Sequence, residues 1–510
     1  MRVLLVNPPD VDGQLTDRED RHAGFCSGLY PPYTAASILG VIRHRMPELE
    51  LHAFDARLEN KATQQALDRI HAIRPDLVIC LLGSYSLDED RPYAELPYPT
   101  IGVICPSSIN PVEAIKLFGL RTPYFTKTEI ENTVAEAVKE FAATGSISQT
   151  SGLIRQEDGQ LIDTGPAQFQ TLSDFPIPAF DLFPMEDYFR LQRERLAWHW
   201  EFGRHRYMWM VTSKGCVKQC TYCSSSTLRP FYKTPRQVID EIKHYIDTYE
   251  VRHFDFIDSE FTVNVARAKE ICRGIIDEKL DIKWVAHNII ELVDEEMMRL
   301  MGEAGCMKLK YGLETADPEI QRRILKPWKM DQAKKAFRLT KKYGMLAQAN
   351  FMVGFLGETK ESLRQTHRAF KELEPDVVCS SILFPTPSTA FYEELVTKKL
   401  LLETNWSLYK KYDRMVFRHD HYRSWEDFQE AWAWLEGRIA RSLAWKRLFR
   451  ANKQPFFLKL VNLLKANPKL KRVLQRLPLI GRTGTEISRK LQMSNDAEAG
   501  AGSAEAVYSR

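Results

Sequence analysis

The chain has little cysteine: nine residues in 510. Three of them, Cys216, Cys220 and Cys223, stand close together, and Cys26, Cys80, Cys105, Cys272, Cys306 and Cys379 are scattered among apolar neighbours. A sparse, odd set excludes a secreted disulfide framework and suits a reducing compartment. No apolar run approaches the ~18 residues that a membrane-spanning helix needs. The N-terminal run Val3-Leu4-Leu5-Val6 is too short for the core of a signal peptide. These absences point to a cytoplasmic protein. The formal net charge of +4 is small for the length, so the whole-chain balance names no partner. No recognised module accompanies the basic residues, which argues against nucleic acid. With 44% hydrophobic and 27% charged residues the chain reads as globular, long enough for two or three domains with full cores.

What is present is concentrated in Gly215-Cys216-Val217-Lys218-Gln219-Cys220-Thr221-Tyr222-Cys223. C-x3-C-x2-C spacing brings three thiols toward one metal centre. A strand-like run at 207–211 leads into it and a helix-forming stretch at 235–249 follows. Iron–sulfur clusters are usually held by four cysteines. Three local thiols without an obvious fourth suggest a cubane with one iron left open, as catalytic metal sites keep an open position. The competing assignment is a zinc knob. Zinc sites more often show paired C-x2-C elements or added histidines, and only His199 and His205 lie nearby upstream.

Upstream, short apolar runs at 3–6, 49–54, 76–82 and 100–105 alternate with helical patterns after Pro31-Pro32, at 61–73 and at 129–141. This predicts a doubly wound, Rossmann-like parallel sheet over 1–145. Ligands of such sheets sit beyond the carboxyl ends of the strands, here the loops after Val6, Leu82 and Cys105. The stretch between the third and fourth strands is short for a helix. Periodicity breaks down over 146–205, which predicts a linker. Six strand candidates follow, at 207–211, 253–257, 283–286, 307–311, 347–353 and 376–384, each succeeded by a helical pattern. Six β/α units over 206–402 suit a partial (β/α)6 TIM-type barrel, whose active site lies at the C-terminal strand ends. Those ends carry Asp258-Ser259-Glu260, His287-Asn288, Gly312-Leu313-Glu314, the run Gly354 to Glu358, and Pro385-Thr386-Pro387.

On these residues the chain resembles the radical S-adenosylmethionine (SAM) superfamily over roughly 207–401. Cys216, Cys220 and Cys223 match its cysteine motif, with the usual aromatic before the last cysteine as Tyr222. The resemblance implies a [4Fe-4S] cluster whose open iron is chelated by the amino and carboxylate groups of SAM, and reductive SAM cleavage to start radical chemistry. It implies that Asp258 and Glu260 stand where the family contacts the SAM amino group, although the usual Gly-Gly-Glu is absent and only Glu260 matches by letter. Glu314 falls at the ribose or methionine-carboxylate position. Gly354 and Glu358 match the fifth-strand element near the adenine, and Asn288 is carried over with them as cofactor-binding.

The whole chain is similar to the subgroup with an N-terminal cobalamin-binding-type domain. Leu4-Leu5-Val6-Asn7-Pro8-Pro9, Pro31-Pro32-Tyr33, Arg74-Pro75-Asp76-Leu77-Val78 and Phe175-Pro176-Ile177-Pro178 are its landmarks here. Two features depart from the pattern. Asp20-Arg21-His22-Ala23-Gly24 is one residue short of the D-x-H-x-x-G signature, and Pro106-Ser107-Ser108-Ile109-Asn110 replaces a Gly-Gly-x-His stretch. The resemblance implies a cobalamin-dependent methyltransferase acting on a carbon centre of a small or lipid-like metabolite, supplied with electrons by a donor such as flavodoxin or ferredoxin. The alternatives are radical cyclisation, rearrangement or oxidation without methyl transfer, and a non-catalytic iron–sulfur carrier.

Beyond 402 the sequence turns helical and aromatic over 403–490. Between 437 and 490 it is strongly basic, with Glu486 the only acid. Interleaved basic and apolar residues there suggest peripheral membrane contact, against the plainer alternative of a solvated helical face. The tail at 491–510 is small and polar, and reads as disordered.

Overall fold

The computed structural model describes residues 1–10, 16–18, 24–25, 29–58, 63–106, 108–169, 175–194, 202–411 and 413–449. Cys26, residues 20–23, most of the basic stretch (450–490) and the tail at 491–510 lie outside the described residues.

The first sheet is built on β1 (Arg2–Asn7), β2 (Glu50–Asp55), β3 (Leu77–Gly83), β4 (Thr100–Cys105) and β5 (Tyr124–Thr126). They are parallel and lie in the order β2-β1-β3-β4-β5. β3 and β4 are buried along their whole length, as continuous apolar strands of a parallel sheet must be. The helices of this region are α1 (Tyr33–Arg45), α2 (Thr63–Ile73), α3 (Leu87–Ala94), α4 (Pro111–Phe118) and α5 (Ile130–Thr144). Helix α3 occupies the gap expected to be too short for one. It hides its stripe because a buried acid, Asp90, sits between buried Leu87 and Tyr93. β6 (Leu153–Glu157) and β7 (Gln160–Asp163) extend the sheet antiparallel, within the stretch expected as linker. Asp158 and Gly159, both at positive φ, form the turn between them. An Asp-Gly pair is a hairpin signal that the broken periodicity obscured.

Strand order reverses between β1 and β3, the place where doubly wound sheets open a crevice. A buried ion pair bridges the loops there. The Arg18 guanidinium donates to Asp90 at 3.1 Å and to the carbonyls of Pro8 and Pro9 at 3.1 and 3.2 Å. Asp90 also accepts from the Gly83 N–H at 2.9 Å and the Ser86 hydroxyl at 2.8 Å.

After α6 (Met185–Glu194) come β8 (Tyr207–Met210), β9 (His253–Phe256), β10 (Lys283–His287), β11 (Cys306–Glu314), β12 (Leu346–Val353) and β13 (Val377–Ile382). This second parallel sheet runs in sequence order and is open, with β8 and β13 at its edges, as in an incomplete barrel. Its helices are α7 (Pro235–Tyr249), α8 (Val265–Asp277), α9 (Glu295–Glu303), α10 (Pro318–Arg323), α11 (Met330–Lys342), α12 (Lys360–Leu373) and α13 (Ala390–Thr397), followed by α14 (Trp425–Phe449). Local signals place them. α7 starts at Pro235 behind a capping box, Thr234 accepting from the Gln237 N–H and Gln237 from the Thr234 N–H.

The chain forms two compact bodies. One comprises Met1–Ala286, Pro385–Glu394 and Thr404–Lys410, and the other His287–Phe384, Leu395–Glu403 and Lys411–Arg510. The first holds the N-terminal sheet and β8–β10, the second β11–β13. Among the described residues no helix is long and apolar enough to cross a membrane.

Asp90→Ala leaves the buried Arg18 guanidinium without its carboxylate. Chemical denaturation should show a loss of about 3–5 kcal/mol. A loss below about 1 kcal/mol would mean that the pair does not hold these loops.

Candidate functional site

In the first body, the chain leaving β8 forms a two-residue strand, Ser213–Lys214, that pairs antiparallel with Phe231–Tyr232. The loop between them carries all three motif cysteines. Gly215 opens it at φ +75, and a Cβ there would lie 2.6 Å from the Arg229 carbonyl oxygen, so only glycine fits. The Cys223 N–H donates to the Cys220 carbonyl at 3.1 Å. The Ser226 hydroxyl bridges the Cys220 and Cys223 carbonyls at 3.1 and 2.6 Å. From α13, the Phe391 N–H donates to the Thr221 carbonyl at 2.8 Å. None of the three cysteines is in a disulfide; Cys220 is buried and the other two are half-buried, as is Tyr222 between them. The Lys218 N–H points at the Cys216 sulfur at 3.4 Å, a contact that favours a thiolate.

Among the described residues no three His, Cys, Asp or Glu side chains close around one ion. A cubane does not ask for that, because each thiolate takes its own iron. Three cysteines outside any disulfide on one folded loop fit three corners of such a cluster and leave the fourth iron to another ligand.

Asp258 and Glu260 follow β9 in the same body. Asp258 is fully buried. It accepts the Thr212 N–H at 2.6 Å and the Ser213 hydroxyl at 2.7 Å, and the Thr212 hydroxyl as well. Its carboxylate therefore holds the residues that lead into the loop, a positioning task that the sequence pattern did not disclose. Arg267 of α8 works beside it, donating to the carbonyls of Thr212 and Lys233, each at 2.7 Å, and so clamping both sides of the hairpin. Glu260 is half-buried at the N-cap of the single turn Phe261–Val263.

The remaining expected residues lie in the second body. Asn288 is buried, and its N–H donates to the Lys310 carbonyl at 3.0 Å. Glu314 ends β11 at φ +58, beside a register shift against β12. Its carboxylate pairs with Lys326 at 2.8 Å. Gly312 makes the room, since a Cβ there would fall 2.6 Å from both the Glu314 oxygen and the Lys326 nitrogen. Gly354 turns the chain at φ +99 after β12. Glu358 accepts its N–H at 3.0 Å and the Tyr422 hydroxyl at 2.8 Å. Burial pushes the Glu358 carboxyl up to about 7, against both of those donors. The Gly357 N–H donates to Asp420 at 2.9 Å, and Phe428 lies 3.2 Å from where a Gly354 Cβ would stand. Residues of the C-terminal region thus cover the glycine turn. Sequence reasoning missed Lys326, Asp420, Tyr422 and Phe428; the aromatic richness beyond 402 was a signal for Tyr422 and Phe428 alone.

At the carboxyl edge of the first sheet, Asn7 ends β1, Ser84 follows β3 and Ser108 follows β4. The Asn7 Oδ1, Ser84 Oγ and Ser108 Oγ atoms are buried and find no hydrogen-bond partner within the described protein. Buried polar atoms left so are costly. Three of them on the ends of three neighbouring strands fit the polar periphery of a ligand such as a corrinoid.

The Radical SAM superfamily profile matches residues 210–370. An uncharacterized methyltransferase of Pyrococcus horikoshii is 32% identical over 302 residues, 58% of this chain and 62% of the relative. An anaerobic magnesium-protoporphyrin IX monomethyl ester cyclase of Cereibacter sphaeroides is 23% identical over 415 residues, 78% of this chain and 64% of the relative. The chain thus spans less than two thirds of either relative's length. The solved radical SAM methyltransferase TsrM from Kitasatospora setae, with cobalamin and a [4Fe-4S] cluster bound, superposes with a TM-score of 0.63 over 78% of this chain and 75% of its own, at 19% identity. At that identity the likeness is one of fold.

Two outcomes follow from the geometry. Gly215→Ala should abolish iron retention after anaerobic reconstitution while circular dichroism stays unchanged, and full retention would contradict the steric argument. Glu358 carries a proton in the folded chain between its ordinary 4.5 and about 7, where the unfolded chain has released it. Stability should therefore fall as pH rises through that window, by on the order of 3 kcal/mol. Glu358→Gln keeps an acceptor for Gly354 and Tyr422 and should flatten the slope. Denaturant titrations of both proteins across the window measure it, and parallel slopes would show that Glu358 is ionised throughout.

Proposed function

From a chain that carries a radical SAM domain over residues 210–370, we propose an enzyme that binds a [4Fe-4S] cluster on Cys216, Cys220 and Cys223 and cleaves SAM reductively at the open iron. Its reaction is cobalamin-dependent methylation of a carbon centre in a small-molecule substrate. The observation that carries this reading is the trio of cysteines, none in a disulfide, on a glycine-kinked loop at the C-terminal end of the first strand of an open parallel sheet.

When bound, the cluster supplies one electron to the SAM sulfonium and a corrinoid supplies a carrier for the methyl group. The protein's own part is positional. The turn at Cys220–Cys223, closed by Ser226, presents two of the thiolates, and the Lys218 N–H supports the third. Glu260 is the candidate for the SAM amino group. Glu314, fixed by Lys326, is the candidate for the ribose or methionine carboxylate. Gly354 offers close backbone approach to the adenine. Glu358 and Tyr422 hold that turn in shape and keep water from it. Asn7, Ser84 and Ser108 offer hydrogen bonds to the corrinoid periphery. The electron comes from a one-electron carrier such as flavodoxin or ferredoxin.

The likeness to a cyclase supports a second reading, ring closure begun by hydrogen abstraction without methyl transfer. Protein purified anaerobically with hydroxocobalamin should carry about four irons per chain and a corrinoid absorption band. With dithionite and methyl-labelled SAM it should release 5′-deoxyadenosine and leave label on the protein-bound corrinoid. Iron without corrinoid or transferred label would favour the cyclase reading. Absence of SAM cleavage by iron-loaded protein would reject both.

A further inference from the structure

Beyond the loop's own hydrogen bonds, a second set of contacts holds its base, from helices of the first sheet and from α7. The base is the hairpin of Ser213–Lys214 and Phe231–Tyr232. A lysine ends the first strand and another, Lys233, immediately follows the second. Lys214 Nζ lies 2.6 Å from Glu131 Oε1, with the two side chains 12% and 3% exposed. Glu131 is in the first turn of α5, where the helix dipole favours a carboxylate. The Ser37 hydroxyl of α1 donates to the same oxygen at 3.3 Å. Lys233 pairs with Glu241 of α7 and donates to the Tyr33 hydroxyl of α1 at 2.6 Å. Tyr33 donates on to Glu241 at 2.8 Å. The Lys233 N–H closes the hairpin onto the Thr212 carbonyl at 3.0 Å.

The two lysines differ in what they report. Glu241, the carboxylate that Lys233 meets, belongs to the helix that follows the loop, so that ion pair is local to the second sheet's region. Lys214 stands directly before Gly215 and Cys216 and reaches a carboxylate on a helix of the N-terminal sheet. Buried ion pairs are seldom net stabilising compared with apolar replacements, but they fix geometry strictly. This one ties the stretch leading into the first thiol to a helix of the N-terminal sheet.

We propose that Glu131 is a positioning residue for the cluster: acting through Lys214, it lets the N-terminal sheet's helices set the geometry of the loop that carries Cys216, Cys220 and Cys223. The proposal rests on the reading that these thiols hold a cluster. It makes the N-terminal domain a structural partner of the cluster whether or not a corrinoid is bound.

Glu131→Gln alone strands a buried ammonium and can cost the fold, so the decisive protein is full-length chain with Glu131→Leu and Lys214→Met together, an apolar pair of similar volume. It should melt within a few degrees of wild type. Hydrogen exchange of residues 215–230 in the iron-free proteins should be faster in the variant. The reconstituted variant should lose iron to a chelator about tenfold faster, the ratio lost with one charge-assisted hydrogen bond. Its reduced cluster should give a broadened EPR line. Wild-type exchange and wild-type iron loss in the variant would overturn the proposal. Wild-type protein that retains no iron would overturn the cluster reading itself, and Glu131's role for a cluster with it. The two failures are thus seen in different proteins.

Discussion

The carboxylate of Asp258 is the contact on which the rest of the site depends. It lies fully buried at the end of β9 and accepts three hydrogen bonds from Thr212 and Ser213, the residues through which β8 passes into the cysteine loop. A buried carboxylate without donors would be prohibitively expensive. With them it fixes the direction in which the chain leaves the sheet, and Gly215 then turns it. The thiols owe their place to that exit geometry, so this strand-end acid serves the scaffold that carries the loop.

Buried charge recurs wherever a loop at a strand end must be held. Arg18 and Asp90 join the loops after β1 and β3, Lys214 and Glu131 hold one side of the hairpin, and Lys233 and Glu241 the other. Such pairs add little net stability but penalise every alternative arrangement that separates them. Parallel sheets leave their functional loops long and free of ladder hydrogen bonds. Ion pairs with defined partners give those loops a unique position that apolar packing alone would not. In the second body the same task falls to Glu314 with Lys326, and to Glu358 with Gly354 and Tyr422.

Much of this was legible in the sequence, for identifiable reasons. The strands are continuous apolar runs, the helices carry their own start signals, as at Thr234-Pro235, and the order of the β/α units needed no long-range information. The cysteine spacing singled out the loop that the structure folds between Ser213–Lys214 and Phe231–Tyr232, because three thiols in one turn-rich stretch have few uses other than a metal centre. What was hidden is tertiary. Lys326 lies 12 residues from Glu314 and Tyr422 lies 64 from Glu358, and no local pattern links them. Helix α3 was masked by Asp90, whose burial is bought by an arginine 72 residues earlier. Asp258 read as a ligand because an acid at a strand end looks alike whether it faces a cofactor or the backbone of its neighbour.

The proposed chemistry requires one iron of the cluster to be open and filled by SAM. Electron–nuclear double resonance on the reduced protein with SAM labelled by nitrogen-15 at its amino group tests this most directly. An open iron filled by SAM should give a hyperfine coupling to the labelled nitrogen that vanishes when SAM is omitted. A cluster spectrum indifferent to labelled SAM would contradict it.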